Sequence, residues 1–167
     1  MGAAYLPKIK PLSGILTAIR VLPLLLGLKI LDPRNLPTKP ELQARKVKFT
    51  LYMITNALSQ LNKYGDKKMV DWTTPQPERI FQWAVTDGPA AYLRVKAGKT
   101  KSGRGVYERK RPFVLMQFPD THGAFMVLTS QAPLVEAVAK GFVVTEGAME
   151  YSKDIGEHMQ RIETLLK

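Results

Sequence analysis

The 167-residue sequence contains no cysteine and only two histidines, and both scarcities exclude classes of chemistry. Without thiols the chain has no disulfide, no thiolate zinc or iron–sulfur site and no cysteine nucleophile. His122 and His158 are too few for a histidine-based metal site without several carboxylates in support. Neither a metal nor a cofactor is therefore expected.

Long apolar runs are also lacking. The longest uncharged apolar run, Val21–Leu28, has eight residues and contains Pro23 and Gly27. A membrane-spanning helix needs about 20 apolar residues, and Arg20 and Lys29 bracket this run closely. The segment is not predicted to span a bilayer.

Acidic residues are few relative to basic ones, 14 against 25, and the formal net charge is +11. Residues 1–50 carry nine Lys/Arg against two acidic residues, and residues 91–120 carry eight against two, while the rest of the chain is close to neutral. Such a local excess of positive charge indicates an anionic partner. Nucleic acid, lipid headgroups and an acidic protein all remain open.

Residues 1–37 are interpreted as an N-terminal arm that precedes a domain at 38–167. Prolines punctuate the arm, and its apolar stretch runs from Leu12 to Leu31. A cleaved signal peptide fits poorly because Arg20 interrupts the apolar region, whereas a mitochondrial presequence stays open. Three roles remain: insertion into a bilayer interface, docking on a protein partner, or folding back over the domain. The predicted docking residues are Leu22, Leu24, Leu25, Leu26, Leu28, Arg20 and Lys29.

The domain is predicted to begin with one long helix. Thr38 and Glu41 have the spacing of a capping box. Gly65 is predicted to end the helix, and residues 66–77 are predicted to be a turn-rich linker. Between these limits a single apolar stripe recurs at helical spacing, formed by Val47, Leu51, Ile54, Leu58 and Leu61.

Five strands are predicted after the linker, at Ile80–Thr86, Ala91–Ala97, Phe113–Phe118, Ala124–Thr129 and Phe142–Thr145. A basic loop at 98–112 joins the second strand to the third, and a short helix at Leu134–Lys140 precedes the fifth. A last amphipathic helix starts at about Glu150 and carries Ile155, Met159, Ile162 and Leu166 on one side. This order predicts an α+β domain with an antiparallel five-stranded sheet covered on one face by helices.

Three stretches resemble the lipid-binding domain of the sterol carrier protein type 2 family. FQWAVTDGP at Phe81–Pro89 is similar to that family's first strand and its ITDGP-like turn. Ala91–Ala97 with Gly98-Lys99 is similar to the second strand. KGFVVTEG at Lys140–Gly147 resembles the family's GKLKIKG strand, which an amphipathic helix follows. The resemblance covers about Ile80 to Leu166, half of the chain.

The resemblance implies a non-enzymatic domain in which a tunnel between sheet and helices holds a hydrophobic or acyl lipid ligand. It implies a tunnel lining of Trp83, Leu93, Val95, Leu115, Val127, Ile155, Met159 and Ile162. A second expectation is that the chain is an accessory subunit of a larger complex and binds a protein partner through its N-terminal arm. The alternative from another class is a basic ribosome- or nucleic-acid-associated protein. The expected localisation is cytoplasmic, with peripheral membrane association and mitochondrial import left open.

The loop at 98–112 is predicted to contact an anion. Its basic residues are Lys99, Lys101, Arg104, Arg109, Lys110 and Arg111, with Tyr107 interleaved. A solvated hairpin tip is the plain alternative, and phosphate contacts with a stacked base would suit nucleic acid. Asp120, His122 and Ser130 lie close together in sequence, but nothing like a nucleophile elbow surrounds the serine. No enzymatic activity is expected.

Deletion of residues 1–36 should leave the domain folded, because the apolar stripe of its first helix begins only at Val47. The truncated protein should lose its attachment to a protein partner or to liposomes. Circular dichroism and co-sedimentation measure the two effects. Unfolding of the truncated protein would instead show that the arm belongs to the core of the domain.

Overall fold

The computed structural model describes residues 36–132 and 134–165. The predicted docking residues of the arm lie outside this range, and its boundary at residue 37 stays a prediction. No helix in the described range is long and apolar enough to cross a membrane. The described elements are α1 Pro40–Lys63, α2 Lys67–Thr73, β1 Arg79–Val85, β2 Ala90–Lys96, β3 Lys99–Arg104, β4 Val114–Phe118, α3 Thr121–Leu128, α4 Leu134–Ala139, β5 Val144–Gly147 and α5 Met149–Leu165.

The five strands form one sheet in the order β3-β2-β1-β4-β5. β1 and β4 are parallel, and the other three neighbouring pairs are antiparallel. The predicted α+β class with five strands is confirmed, but the prediction of a purely antiparallel sheet is wrong. The reason is the segment 105–113, which carries the chain from the end of β3 back to the start of β1, where the Phe113 amide donates to the Ile80 carbonyl at 2.7 Å.

Two of the predicted segments have a different structure. The first half of the predicted basic loop is strand β3, which pairs with β2 through a tight turn at Ala97 (φ 45°) and Gly98 (φ 75°). The predicted strand Ala124–Thr129 lies mostly in helix α3. Asp120 caps that helix, since its Oδ1 accepts a hydrogen bond of 2.6 Å from the Gly123 amide. The predicted number of five strands is therefore right, but one predicted strand is a helix and β3 was not predicted.

The first helix starts differently from the prediction. α1 begins at Pro40, and Lys39 is an N-cap without a side-chain hydrogen bond, so the predicted capping box is wrong. Proline suits the first helical position because it has no amide hydrogen to satisfy there. The helix ends at Lys63, and Gly65 follows with φ 77°, as predicted. The predicted linker contains α2, which Asp66 caps through the Met69 amide at 3.0 Å.

The helices cover one face of the sheet: α1 packs over β2 and β3, and α3 and α5 pack over β4, with α5 also contacting β5. Of the predicted stripe on α1, Val47, Leu51 and Leu58 are buried in the core. Ile54 and Leu61 are half-buried against it. This layer places the main hydrophobic core on the helix-facing side of the sheet.

Polar contacts fix α5 to α2. The Trp72 indole Nε1 donates to Asp154 Oδ2 at 3.1 Å, and the Trp72 ring lies 5.2 Å from the His158 ring. Arg161 binds Asp66 with both terminal nitrogens, Nη1 to Oδ1 at 2.8 Å and Nη2 to Oδ2. The hydrogen bond from Arg161 lowers the pKa of Asp66 to about 2. Burial, followed by the charge of Arg161, lowers the pKa of His158.

We expect the docking of α5 to weaken in acid in two steps. A folded-state pKa below that of the unfolded chain means that the unfolded chain binds protons first, so the free energy of unfolding falls as the pH falls. For His158 this loss begins below about pH 6.5, and for Asp66 it runs from about pH 4 towards pH 2. Urea unfolding followed by tryptophan fluorescence at several pH values measures both.

Arg161→Gln should lower the free energy of unfolding at neutral pH. It should also reduce the fall in this free energy between about pH 4 and pH 2, because the pKa of Asp66 then returns towards its usual value. Lys153→Gln, on the exposed side of the same helix, is the matched control and should change neither. If the stability of Arg161→Gln fell between about pH 4 and pH 2 as steeply as that of the parent protein, the Asp66–Arg161 ion pair would not be the cause of this pH dependence.

Candidate ligand-binding site on the helix-facing side of the sheet

The central strand β1 directs alternate side chains to opposite faces of the sheet. Its helix-facing residues are Arg79, Phe81 and Trp83, which lie opposite Val95, Leu93 and Ala91 of β2 in that order. The aromatic pair and all three partners on β2 belong to the buried core. Arg79 therefore brings a permanent charge to the helix-facing side of β1 and β2, where these five neighbours are apolar.

The structure brings most of the predicted tunnel residues together. Five are buried in the core cluster, and Val127 and Met159 are half-buried against it. Leu115 does not join them: it lies opposite Gln82 on the other face and lines a surface depression of about 240 Å³. The five buried residues are Trp83, Leu93, Val95, Ile155 and Ile162. The tunnel itself stays a prediction.

Two buried hydrogen-bond donors on the helix-facing side of β1 lack an acceptor. Arg79 Nη1 and Trp83 Nε1 have no hydrogen-bond partner within the described part of the chain. A buried polar group left unpaired costs about 1–3 kcal/mol. Because both atoms are donors on one face, an acceptor oxygen from outside the described chain would satisfy either of them.

Two aromatic rings hold the guanidinium group of Arg79. Its Cζ lies 4.2 Å from the centroid of the Phe113 ring, just before β4, and 4.1 Å from that of Tyr151 on α5. The two rings contact each other edge to face at 5.1 Å. Cation–π contacts of this kind retain the charge while they fix the side chain. The group is thus positioned where the sheet meets the start of α5.

Apolar side chains that are only partly buried lie on the same side of the sheet. We call this set the apolar margin: Phe113, Met116, Met126, Val127, Tyr151 and Met159. Three of its members are methionines, whose flexible thioethers adapt to irregular apolar shapes. The margin packs against the core cluster on β4, α3 and α5, while the apolar helix-facing residues of β1 and β2 at its centre are buried.

Sequence reasoning missed the residues that define this site. Arg79 precedes the predicted first strand by one residue, and its two-residue spacing from Phe81 was a usable signal for an inward-facing charge. The pairing of Phe113 with Tyr151 had no such signal, because β4, α3, α4 and β5 separate them along the chain. Within the described residues, no group of three or more histidine, cysteine, aspartate or glutamate side chains is placed to hold a metal.

The predicted anion-contacting residues lie on the edge strand β3 and in the loop that follows it. Lys99, Lys101 and Arg104 are on β3, and all six side chains of the set are exposed. Arg104 lies on the helix-facing side, because it pairs with Ala91 and its Cζ is 5.0 Å from the centroid of the Tyr52 ring on α1. Lys101, Arg104 and Arg109 line a cleft of about 270 Å³ together with Arg94 of β2. The other two, Lys110 and Arg111, follow in the loop. Whether the set contacts an anion stays a prediction.

No protein-family model and no curated protein sequence matches the chain. Among solved structures, the chain is similar to sterol carrier protein 2 from Yarrowia lipolytica, at 16% identity and a TM-score of 0.43, over 61% of this chain and 90% of that one. It is also similar to palmitated sterol carrier protein 2-like 2 from Aedes aegypti, at 12% identity and a TM-score of 0.44, over 65% of this chain and 93% of that one.

A third similar structure is the stereoselective inverting sec-alkylsulfatase Pisa1 from Pseudomonas sp., at 14% identity and a TM-score of 0.39. The match covers 76% of this chain but only 19% of the sulfatase. The other two are sterol carrier proteins, which belong to the family that the sequence resembles.

Proposed function

We propose that this chain is a non-enzymatic binding domain for a hydrophobic ligand with an anionic head, such as a fatty acid. The head group pairs with Arg79, and the tail lies along the apolar margin beneath α5. The observation that carries the proposal is the guanidinium of Arg79, fixed between Phe113 and Tyr151 with a buried Nη1 that has no acceptor among the described residues.

The chemistry of Arg79 supports an anionic head rather than a neutral one. A guanidinium stays charged at any physiological pH and binds a carboxylate through two parallel hydrogen bonds. Phe113 and Tyr151 contact the guanidinium group through their ring faces, and they supply no hydrogen-bond acceptor for Nη1. A carboxylate at Nη1 would supply the missing acceptor and neutralise the charge.

The apolar margin supports a long tail. Burying an acyl chain stabilises a complex by about 0.8 kcal/mol for each CH₂ group removed from water. Met116, Met126 and Met159 can rearrange to admit such a chain at little packing cost. Binding would then be completed by a small displacement of α5, which is tied to α2 by the Asp66–Arg161 and Trp72–Asp154 contacts.

The expected accessory-subunit role depends on the arm, which lies outside the described residues, and it remains a separate prediction. The same holds for contact with a protein partner or a membrane surface through the arm, and for the cytoplasmic localisation. The residues of the proposed site all lie between Arg79 and Met159, within the described range.

The first test compares two ligands that differ only in the head. Delipidated protein should bind palmitate more tightly than hexadecanol in calorimetric titrations. Arg79→Met keeps an apolar stem between the two rings but removes the charged hydrogen bonds, which are worth about 1.5–3 kcal/mol. We expect this variant to bind palmitate at least about ten-fold more weakly and hexadecanol with unchanged affinity.

Arg45→Met, an exposed position on α1, is the matched control and should bind both ligands as the parent protein does. Equal losses for palmitate and hexadecanol in Arg79→Met would show that Arg79 serves the fold and not the ligand head. Absence of binding to either ligand by the parent protein would contradict the proposed function as a whole.

A second test addresses the tail. Val127→Trp fills part of the apolar margin on α3, so it should weaken binding of palmitate and hexadecanol alike. Val138→Trp makes the same substitution on α4, where the valine is 56% exposed, and should leave both affinities unchanged. Thermal unfolding shows whether each variant keeps its fold. Full affinity in a folded Val127→Trp variant would place the tail elsewhere.

A further inference from the structure

The opposite face of the sheet carries a basic cleft that the proposed lipid site does not use. It has a volume of about 270 Å³, and the residues that line it include Arg94, Lys101 and Arg109. Glu108 is the one acidic residue that lines it. Three positive charges against one negative charge leave a net charge of +2 among these four residues at neutral pH.

The pairing of β2 with β3 places like charges directly opposite each other. Arg94 faces Lys101, and two residues further along the strands Lys96 faces Lys99. Like charges at facing positions destabilise a sheet. Glu78 offsets only part of this, through Oε1 to Arg94 Nε at 2.6 Å and Oε2 to Lys96 Nζ at 3.8 Å. An anion bound in the cleft would relieve the remaining repulsion.

Two cations in the cleft have no such partner. Lys101 and Arg109 form no ion pair with an acidic side chain of the described residues. Arg104 also lines the cleft, but its guanidinium group lies on the helix-facing side, with Cζ 5.0 Å from the centroid of the Tyr52 ring on α1. The cleft therefore offers one ammonium and one guanidinium group that no acidic side chain of the described residues neutralises.

The floor and one wall of the cleft are aromatic and firmly supported. The ring of Tyr92 lies across Gly103, where any Cβ would collide with it. Tyr107 packs edge to face on Tyr92 with centroids 4.9 Å apart, and its backbone amide donates to Gln82 Oε1 at 3.0 Å. These contacts fix the segment 105–113 over the sheet and give the cleft an apolar surface beside its charges.

We propose that this cleft binds a phosphate monoester, with Lys101 and Arg109 on the phosphate and the tyrosine rings against the organic group. Arginine and lysine favour phosphate oxygens, and a guanidinium group can bind a phosphate through two parallel hydrogen bonds. A dianionic monoester suits cations that are gathered in one cleft, whereas the singly charged phosphates of a nucleic acid are spread along a strand. The phosphate can come from a soluble ester or from a phosphomonoester lipid headgroup.

The experiment follows the backbone amide of Tyr107 by NMR in the full-length protein. Phenyl phosphate is titrated as the soluble ester, and phosphatidylcholine vesicles with or without phosphatidic acid are compared by co-sedimentation. A shift with phenyl phosphate supports the proposal with a soluble source. Binding only to vesicles that contain phosphatidic acid supports it with a headgroup as the source.

Lys101→Gln/Arg109→Gln should weaken the observed binding at least about ten-fold. Lys68→Gln/Lys153→Gln, which removes two exposed charges on α2 and α5, should weaken it less than about two-fold. If both double variants lost binding affinity equally, the binding would depend only on the net charge of the protein, and the proposal would be overturned. The absence of binding to either phosphate source, or binding of a single-stranded oligonucleotide without binding of a phosphomonoester, would also overturn it.

Discussion

The alternation of side chains along β1 is the constraint on which both proposed binding surfaces depend. This strand is central in the sheet, and six of its seven residues are buried. Its odd-numbered side chains from Arg79 to Val85 face the helices and anchor the core. Among the even-numbered ones, Gln82 accepts the hydrogen bond that fixes the segment 105–113 on the opposite face. A shift in register by one residue would exchange these two sets and remove both sites.

The parallel pairing of β1 with β4 links the two faces. To run parallel, β4 must start beside the beginning of β1, so the chain returns across the sheet through the segment 105–113. That return carries Tyr107 and Arg109 over one face and delivers Phe113 to Arg79 on the other. Gly147 permits the closing of this arrangement, since a Cβ there would collide with the carbonyl oxygen of Phe113. The segment 105–113 thus contributes both to the basic cleft on one face and to the aromatic surroundings of Arg79 on the other.

Much of the fold follows from local sequence patterns, and the exceptions have physical reasons. The stripe from Val47 to Leu61 and the strands around Trp83 and Leu93 are periodic and were predicted close to their observed bounds. β3 was missed because its residues are mostly polar and it is held by pairing with β2 rather than by burial. α3 was mistaken for a strand because a short apolar run has no clear period, and the Asp120 cap decides its form. The contact of Arg79 with Tyr151 is tertiary and has no local signature.

The central proposal is that the helix-facing side of β1 binds the anionic head of a ligand with an apolar tail. The most direct measurement uses protein that has been delipidated and then loaded with palmitate. It records the NOEs between the palmitate protons next to the carboxylate and the aromatic protons of the protein. The account predicts NOEs to the rings of Phe113 and Tyr151, with tail protons close to the methyl group of Met159. NOEs from the head to Tyr92 and Tyr107 alone, on the opposite face, would contradict it.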